Sequence, residues 1–321
     1  MDLFMKTLSS LLLLVCANLL IGCSSGGEFS DPNGNNNGVG NGNGNNNSAI
    51  ETGPFKVLVF SRTVGFRHDA AIPVGIQTIQ ELGAANQFSV DATEDPTVFN
   101  TANLQQYRAI IFLNTTSTTD LQILNPAQQQ AMEAFVNNGG GFVGVHSAAD
   151  TGYNWPFYAE LIGAYFKSHP VQQNATLNVE ATDHPSTTHL PRPWMLFDEL
   201  YSFQRSPRGT VRVLLSIDER SYLQNPNTSC LPNTAGFPNS RLNGTMGDHP
   251  MSWCHDKFAG RAWYTAFGHE VGMYQLAAYR VHLLNGILTA TRRVLADCTP
   301  RDPIPPEPTP DPPQLCTAAF P

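Results

Sequence analysis

Short apolar runs and amphipathic stretches alternate through the middle of the chain, and their periods predict its elements. Lys56-Val57-Leu58-Val59-Phe60 is apolar and rich in β-branched residues and reads as a strand; helical spacing follows from Ala71 to Asn86. Ser89–Thr93 reads as a second strand. Ala109-Ile110-Ile111-Phe112-Leu113 is a third, whose unbroken hydrophobicity requires burial on both faces. Asn125-Pro126 opens a helix over 127–137, because proline suits the first turn; Gly139-Gly140-Gly141 ends it, and Phe142-Val143-Gly144-Val145 makes a fourth strand. Strands separated by helices imply an α/β fold with a doubly wound, mostly parallel sheet and right-handed crossovers. The second half is less regular. Residues 175–181, 211–217 and 261–267 read as strands, 275–295 as a closing helix, and 222–248, rich in Asn, Pro, Gly and Ser, as a long loop.

The two ends carry a different pattern. An apolar run from Leu8 to Ile21 behind Lys6 is too short for a comfortable bilayer span, and it closes on Leu20-Ile21-Gly22-Cys23. This resembles the lipobox of bacterial lipoprotein signal peptides, which implies export, cleavage before Cys23, lipid on Cys23 and a tether to the cell envelope membrane. From Ser24 to Gly53 the chain is dominated by Asn, Gly and Ser, with almost nothing apolar to bury; a coil of that composition holds the domain roughly 30 Å from the lipid. Residues 300–313 alternate prolines with acids and read as an extended tail. The expected organisation is a leader over 1–22, a linker over 23–53, a single domain over 54–296 and a Pro-rich tail over 297–321.

Six cysteines become four once Cys16 leaves with the leader and Cys23 is lipidated. Cys230, Cys254, Cys298 and Cys316 then form two disulfides. Of the three pairings, Cys230 with Cys254 and Cys298 with Cys316 is favoured, the first stapling the long loop and the second pinning the tail. The net charge of −8, from 18 Lys+Arg against 26 Asp+Glu, offers no basic field for phosphates and argues against nucleic acid as a partner. No Gly-x-Gly-x-x-Gly follows the first strand, so no nucleotide cofactor is expected.

In open α/β sheets the ligand crevice lies beyond the carboxyl ends of the strands. Those ends here are followed by Gly65-Phe66-Arg67-His68-Asp69, by Asn114-Thr115-Thr116, by His146-Ser147-Ala148-Ala149-Asp150 and by Gly268-His269. These stretches, together with Ser168-His169-Pro170, Asp198-Glu199-Leu200-Tyr201 and His249-Pro250-Met251-Ser252-Trp253-Cys254-His255, resemble the ThuA-like (trehalose utilisation) family and span nearly the whole central domain. The resemblance implies a flavodoxin-like, class I glutamine amidotransferase-like sheet and a role in carbohydrate utilisation. It does not imply amidotransfer: His146 stands where those enzymes present a cysteine, and an imidazole cannot make the glutamyl thioester. The Gly-x-Ser-x-Gly frame is also absent around Ser147, which disfavours a serine hydrolase.

The histidines support two chemistries. Imidazoles titrate near neutrality and can shuttle protons at a sugar carbon or hydroxyl, with His146 as central acid/base, Asp150 orienting it, His68 and His269 as further proton carriers and Glu199 as carboxylate partner. Alternatively His68, His146, His255 and His269 with Glu199 hold a divalent metal such as zinc, which polarises a sugar carbonyl. Arg67 and Asn114 are assigned to ligand oxygens, and Trp155 and Tyr201 to the pocket wall. His169, His184, His189 and His249, in loops near prolines, are weaker candidates, and His282 reads as structural. The expected ligand is a carbohydrate, processed by an isomerase, lyase or hydrolase; the rival is a non-catalytic carbohydrate-binding or cell-surface module.

Overall fold

The structure, a computed structural model, describes residue 50, residues 52–222 and residues 246–301. Its elements run β1 (Phe55–Phe60), α1 (Ala71–Ala85), β2 (Phe88–Thr93), α2 (Thr101–Leu104), β3 (Ala109–Leu113), α3 (Pro126–Asn137), β4 (Gly141–Val145) and α4 (Pro156–Ile162). There follow β5 (Phe166–Ser168), β6 (Gln173–Val179), β7 (Trp194–Asp198), β8 (Ser202–Phe203), β9 (Arg212–Ile217), β10 (Pro250–His255), β11 (Ala262–Thr265) and α5 (Ala277–Ala290). Every residue of β3 and β4 is buried, as the apolar runs require. Each fully buried Leu, Ile or Phe there stabilises the fold by about 1.5–3 kcal/mol relative to exposure. The start of α3 is fixed locally by a reciprocal capping box between Asn125 and Gln128, with Pro126 in the first turn.

Nine strands form one sheet in the order β2-β1-β3-β4-β11-β10-β9-β6-β7, and β5 pairs with β8 separately. From β2 to β11 every pairing is parallel; from β11 outward every pairing is antiparallel. β10 and β6 therefore run against the rest, and β7 again ends on the same side as β1, β3, β4 and β11. The sheet is thus the mostly parallel α/β sheet expected, with an antiparallel extension that the sequence pattern did not disclose.

The outermost strand of that extension is tied to the rim. Asp198, at the end of the outermost strand, accepts hydrogen bonds from the backbone N–H of Gly268 (2.7 Å) and Glu270 (2.9 Å), just past β11, which is four places away in the sheet.

The disulfide joins Cys254 to Cys298, which excludes the favoured pairing of Cys254 with Cys230 and of Cys298 with Cys316. Cys298 is buried against β10, so the folded body reaches past residue 296. Cys23, Cys230, Cys316 and residues 223–245 of the expected loop lie outside the described residues. No helix among the described residues is long and apolar enough to cross a membrane.

Candidate functional site

The rim where β1, β3, β4, β7 and β11 end gathers His68, His146, Glu199 and His269, each offering a ligand atom within 4.8 Å of the others. Backbone geometry places them. His146 leaves β4 with φ of +50°, a left-handed turn that a β-carbon tolerates poorly and that turns its ring back over the strand ends. Gly268 has φ of +121°; a β-carbon there would come within 2.7 Å of the Tyr274 hydroxyl. Its N–H is held by Asp198, and its carbonyl accepts from Asn114 Nδ2 (3.1 Å) and the Tyr274 hydroxyl (3.1 Å), which fixes His269 next along the chain.

The ring centroids of His68, His146 and His269 stand 4.8 to 5.3 Å apart, all near edge-to-face. Glu199 lies among them. Its Oε2 is 3.4 Å from His146 Nε2 and 3.2 Å from His269 Nδ1, while Oε1 is 3.1 Å from His169 Nδ1 and accepts from Gln172 Nε2 at 3.1 Å. His146 Nδ1 donates to the Ala266 carbonyl at 2.7 Å, and its ring lies 4.2 Å from that of Tyr201. His146 Nε2 and His269 Nδ1 are sealed from solvent, and neither makes an aligned hydrogen bond among the described residues.

Electrostatics divide the groups. Burial alone would raise the Glu199 carboxyl, but its interactions with His146 and His269 hold it well below the usual carboxylate range, so it is ionised. Burial would lower His269, yet Glu199 outweighs it and the imidazole is raised. His68 has no such anion in contact; burial first, then His146 and His269, push it down to about 3, so it is a neutral imidazole at physiological pH. Burial raises Asp198 to about 6 even though backbone N–H groups bond it.

Several expected roles move. His146 is fully buried, with Nδ1 bonded to the Ala266 carbonyl and Nε2 facing Glu199, so its place is beside the carboxylate rather than at the exposed face expected of the central acid/base. Asp150 does not orient His146: it ends a 3₁₀ turn over 146–150, its carboxylate takes the Tyr153 hydroxyl, and the Ala266 carbonyl orients the imidazole. His255 is not in the cluster, because β10 runs antiparallel and carries its carboxyl end away from this rim; its Nε2 donates to the Leu161 carbonyl at 2.9 Å. Arg67 is engaged by Glu94, Asp69 and Thr63 rather than held for a ligand. Trp155 is core, stacked on Tyr158 and bonded to Glu133. Asn114 stands at the rim tied to Gly268, with its Oδ1 buried and without a partner among the described residues. Tyr201 is buried with its ring packed against that of His146, so it is not an open pocket wall. Ser147 is buried 3.4 Å from His68 Nδ1, in no position to be an exposed nucleophile.

Three contributors were missed or undervalued. His169 and Gln172 belong to the loop between β5 and β6 that reaches over Glu199, and Asp198 positions His269; the polar Ser168-His169-Pro170 cluster was the only sequence signal for the loop. Phe66, 67% exposed, stands 5.0 Å from His68 as an apolar lip.

Comparison with known proteins agrees with this architecture. The family model described as ThuA, trehalose utilisation, matches residues 56–290. A ThuA-like protein from Bacteroides uniformis superposes with a TM-score of 0.59 at 24% identity, over 75% of this chain and 93% of that one. Another from Parabacteroides merdae gives 0.57 at 19% identity, over 77% and 98%. At such identities these two structures speak for the fold alone. No curated protein matches the chain.

Proposed function

The chain belongs to the ThuA (trehalose utilisation) family, and on that premise we propose that it binds a sugar or keto-sugar over His68, Glu199 and His269 and converts it by imidazole acid–base chemistry. The observation that carries this reading is the meeting of three imidazoles with one carboxylate at the rim where α/β sheets take their ligands. Phe66 beside His68 supplies the flat apolar surface that suits the C–H face of a sugar ring.

His68 is assigned as the base: it is neutral, and its hydrogen-bond partner among the described residues is the Ser147 hydroxyl at 3.4 Å. It takes the proton from the carbon next to the sugar carbonyl; the C–H pair becomes a C=C bond, the carbonyl π pair moves to oxygen, and that oxygen takes a proton from the His269–Glu199 side, giving an enol. Protonation of the former carbonyl carbon, with the hydroxyl on the other enol carbon giving up its proton to become the new carbonyl, isomerises the sugar; alternatively the enol loses its O–H proton, the carbonyl re-forms and the C=C pair expels a β-oxygen substituent, which leaves with a proton as an alcohol. The leader and Cys23 export the domain and tether it to the envelope, a reading that mass spectrometry of the mature amino terminus tests.

The catalytic reading is tested by NMR of keto-glycosides incubated with the full chain in deuterium oxide. Hydrogen exchange next to the carbonyl is expected, and His68→Gln abolishes it. Sugar binding without exchange or product, for every keto-sugar offered, overturns the reading in favour of a carbohydrate-binding module.

A further inference from the structure

His146, Glu199 and His269 pose a problem that the acid–base reading leaves unsolved. The Ala266 carbonyl only accepts hydrogen bonds, so the proton of a neutral His146 ring sits on Nδ1 and Nε2 presents a lone pair. That lone pair faces Glu199 Oε2 at 3.4 Å, out of solvent and without hydrogen-bond alignment. Oε2 faces His269 Nδ1 at 3.2 Å, again without alignment. Two buried imidazole nitrogens without aligned hydrogen bonds, set beside one ionised carboxylate, form a donor set that a cation would complete.

The spacing says what fits. An ion bound at about 2.0–2.2 Å in a tetrahedron has ligand atoms about 3.3 Å apart along each edge, the separation found on both sides of Oε2. The other carboxylate oxygen is tied by Gln172 and lies beside His169, which turns Oε2 inward as an outer shell does for a metal ligand. His68 also offers a nitrogen within 4.8 Å of the other three, but makes no ion pair with Glu199, so it borders the donor set rather than sharing its carboxylate.

The geometry points to a divalent cation site of the zinc class formed by His146 Nε2, His269 Nδ1 and Glu199 Oε2, with its fourth position open toward His68. It rests on the same crevice as the proposed function and deepens it: the cation would replace the His269 proton as the partner of the sugar oxygen, with His68 left as the base. Three protein ligands with an open position is the arrangement of catalytic rather than structural zinc sites.

Calorimetry of the metal-stripped full chain with zinc, and the visible absorption of tetrahedral cobalt, test this directly. One ion per chain is expected, with affinity reduced ~100-fold or more in Glu199→Gln and in His146→Gln. His255→Gln, away from the cluster, keeps the wild-type affinity. Zinc also raises the melting temperature of the wild-type chain, so the test survives poor folding of a variant. Lack of stoichiometric binding by the folded wild-type chain, or affinity unchanged in both ligand variants, overturns the site. Sugar conversion that persists in chelator-treated protein removes the cation and leaves the proposed function standing; ion binding without conversion does the reverse.

Discussion

Two sets of buried histidines share one fold, and they differ in what faces their nitrogens. In the region of β10 and α5, His255 donates to the Leu161 carbonyl, His282 Nδ1 to the Ser186 carbonyl at 2.7 Å, and His184 Nδ1 meets the Ser186 hydroxyl at 2.9 Å. Each has a protein partner that suits a neutral ring. At the carboxyl rim, His146 has one nitrogen anchored in the same way, but the other is turned toward a carboxylate that His269 and His169 also face. Burial and residue type are common to both sets; the ionised carboxylate shared by unsatisfied nitrogens distinguishes the set proposed as functional. Histidine content alone is therefore a poor guide, and His255 shows why.

The sharpest way to break this contrast is to remove the carboxylate's charge. Glu199→Gln should lower keto-sugar turnover by about 10³-fold or more in steady-state assays. His68→Gln should cost about 10²–10³-fold with an unchanged melting temperature, as loss of a general base does. His255→Gln should leave turnover within about twofold; a large loss there would erase the distinction between the two sets.

The structural region can be probed by stability. Replacing both Cys254 and Cys298 by Ser opens a link of 44 residues and should lower unfolding free energy by about 2–4 kcal/mol in denaturant titrations, with the rim's sugar binding retained. Acid should expose the same region. Burial depresses His255 and His184 to about 4 and His282 to about 3, against about 6.5 unfolded. Above pH ~6.5 all are neutral in both states and contribute no pH dependence. As pH falls below that value the unfolded chain binds their protons first, so stability declines until the folded values are reached. His255→Gln should make this decline shallower by about one proton over that window. The smallest effect is expected at Arg67, whose partners are partly exposed: Arg67→Ala should cost no more than about 1 kcal/mol and leave turnover nearly unchanged.

The parallel half of the fold was legible because its strands are doubly buried and their apolar runs unbroken, as β3 and β4 show. The same regularity located the residues that follow each strand, and so His68, His146 and His269. In the antiparallel half β6 and β9 were legible as strands, but β7 and β10 were not. β7 alternates buried and exposed positions, leaving Met195 and Phe197 at the surface, and β10 begins with proline and carries Ser252 and His255, so neither reads as a buried strand. Strand direction has no local signature, yet it decides that Glu199 joins the rim while His255 leaves it. Gln172 was hidden and His169 undervalued for a related reason: a loop's reach over a carboxylate on another strand depends on long-range pairing, of which Ser168-His169-Pro170 gives only a local sign.

A crystal structure of the full chain with a keto-sugar would test the central claim most directly. The account predicts the sugar beside Phe66, with a ring carbon or hydroxyl within hydrogen-bond reach of His68 and an oxygen turned toward Glu199 and His269. A sugar bound at saturating concentration elsewhere on the molecule, with the rim histidines untouched, would contradict it.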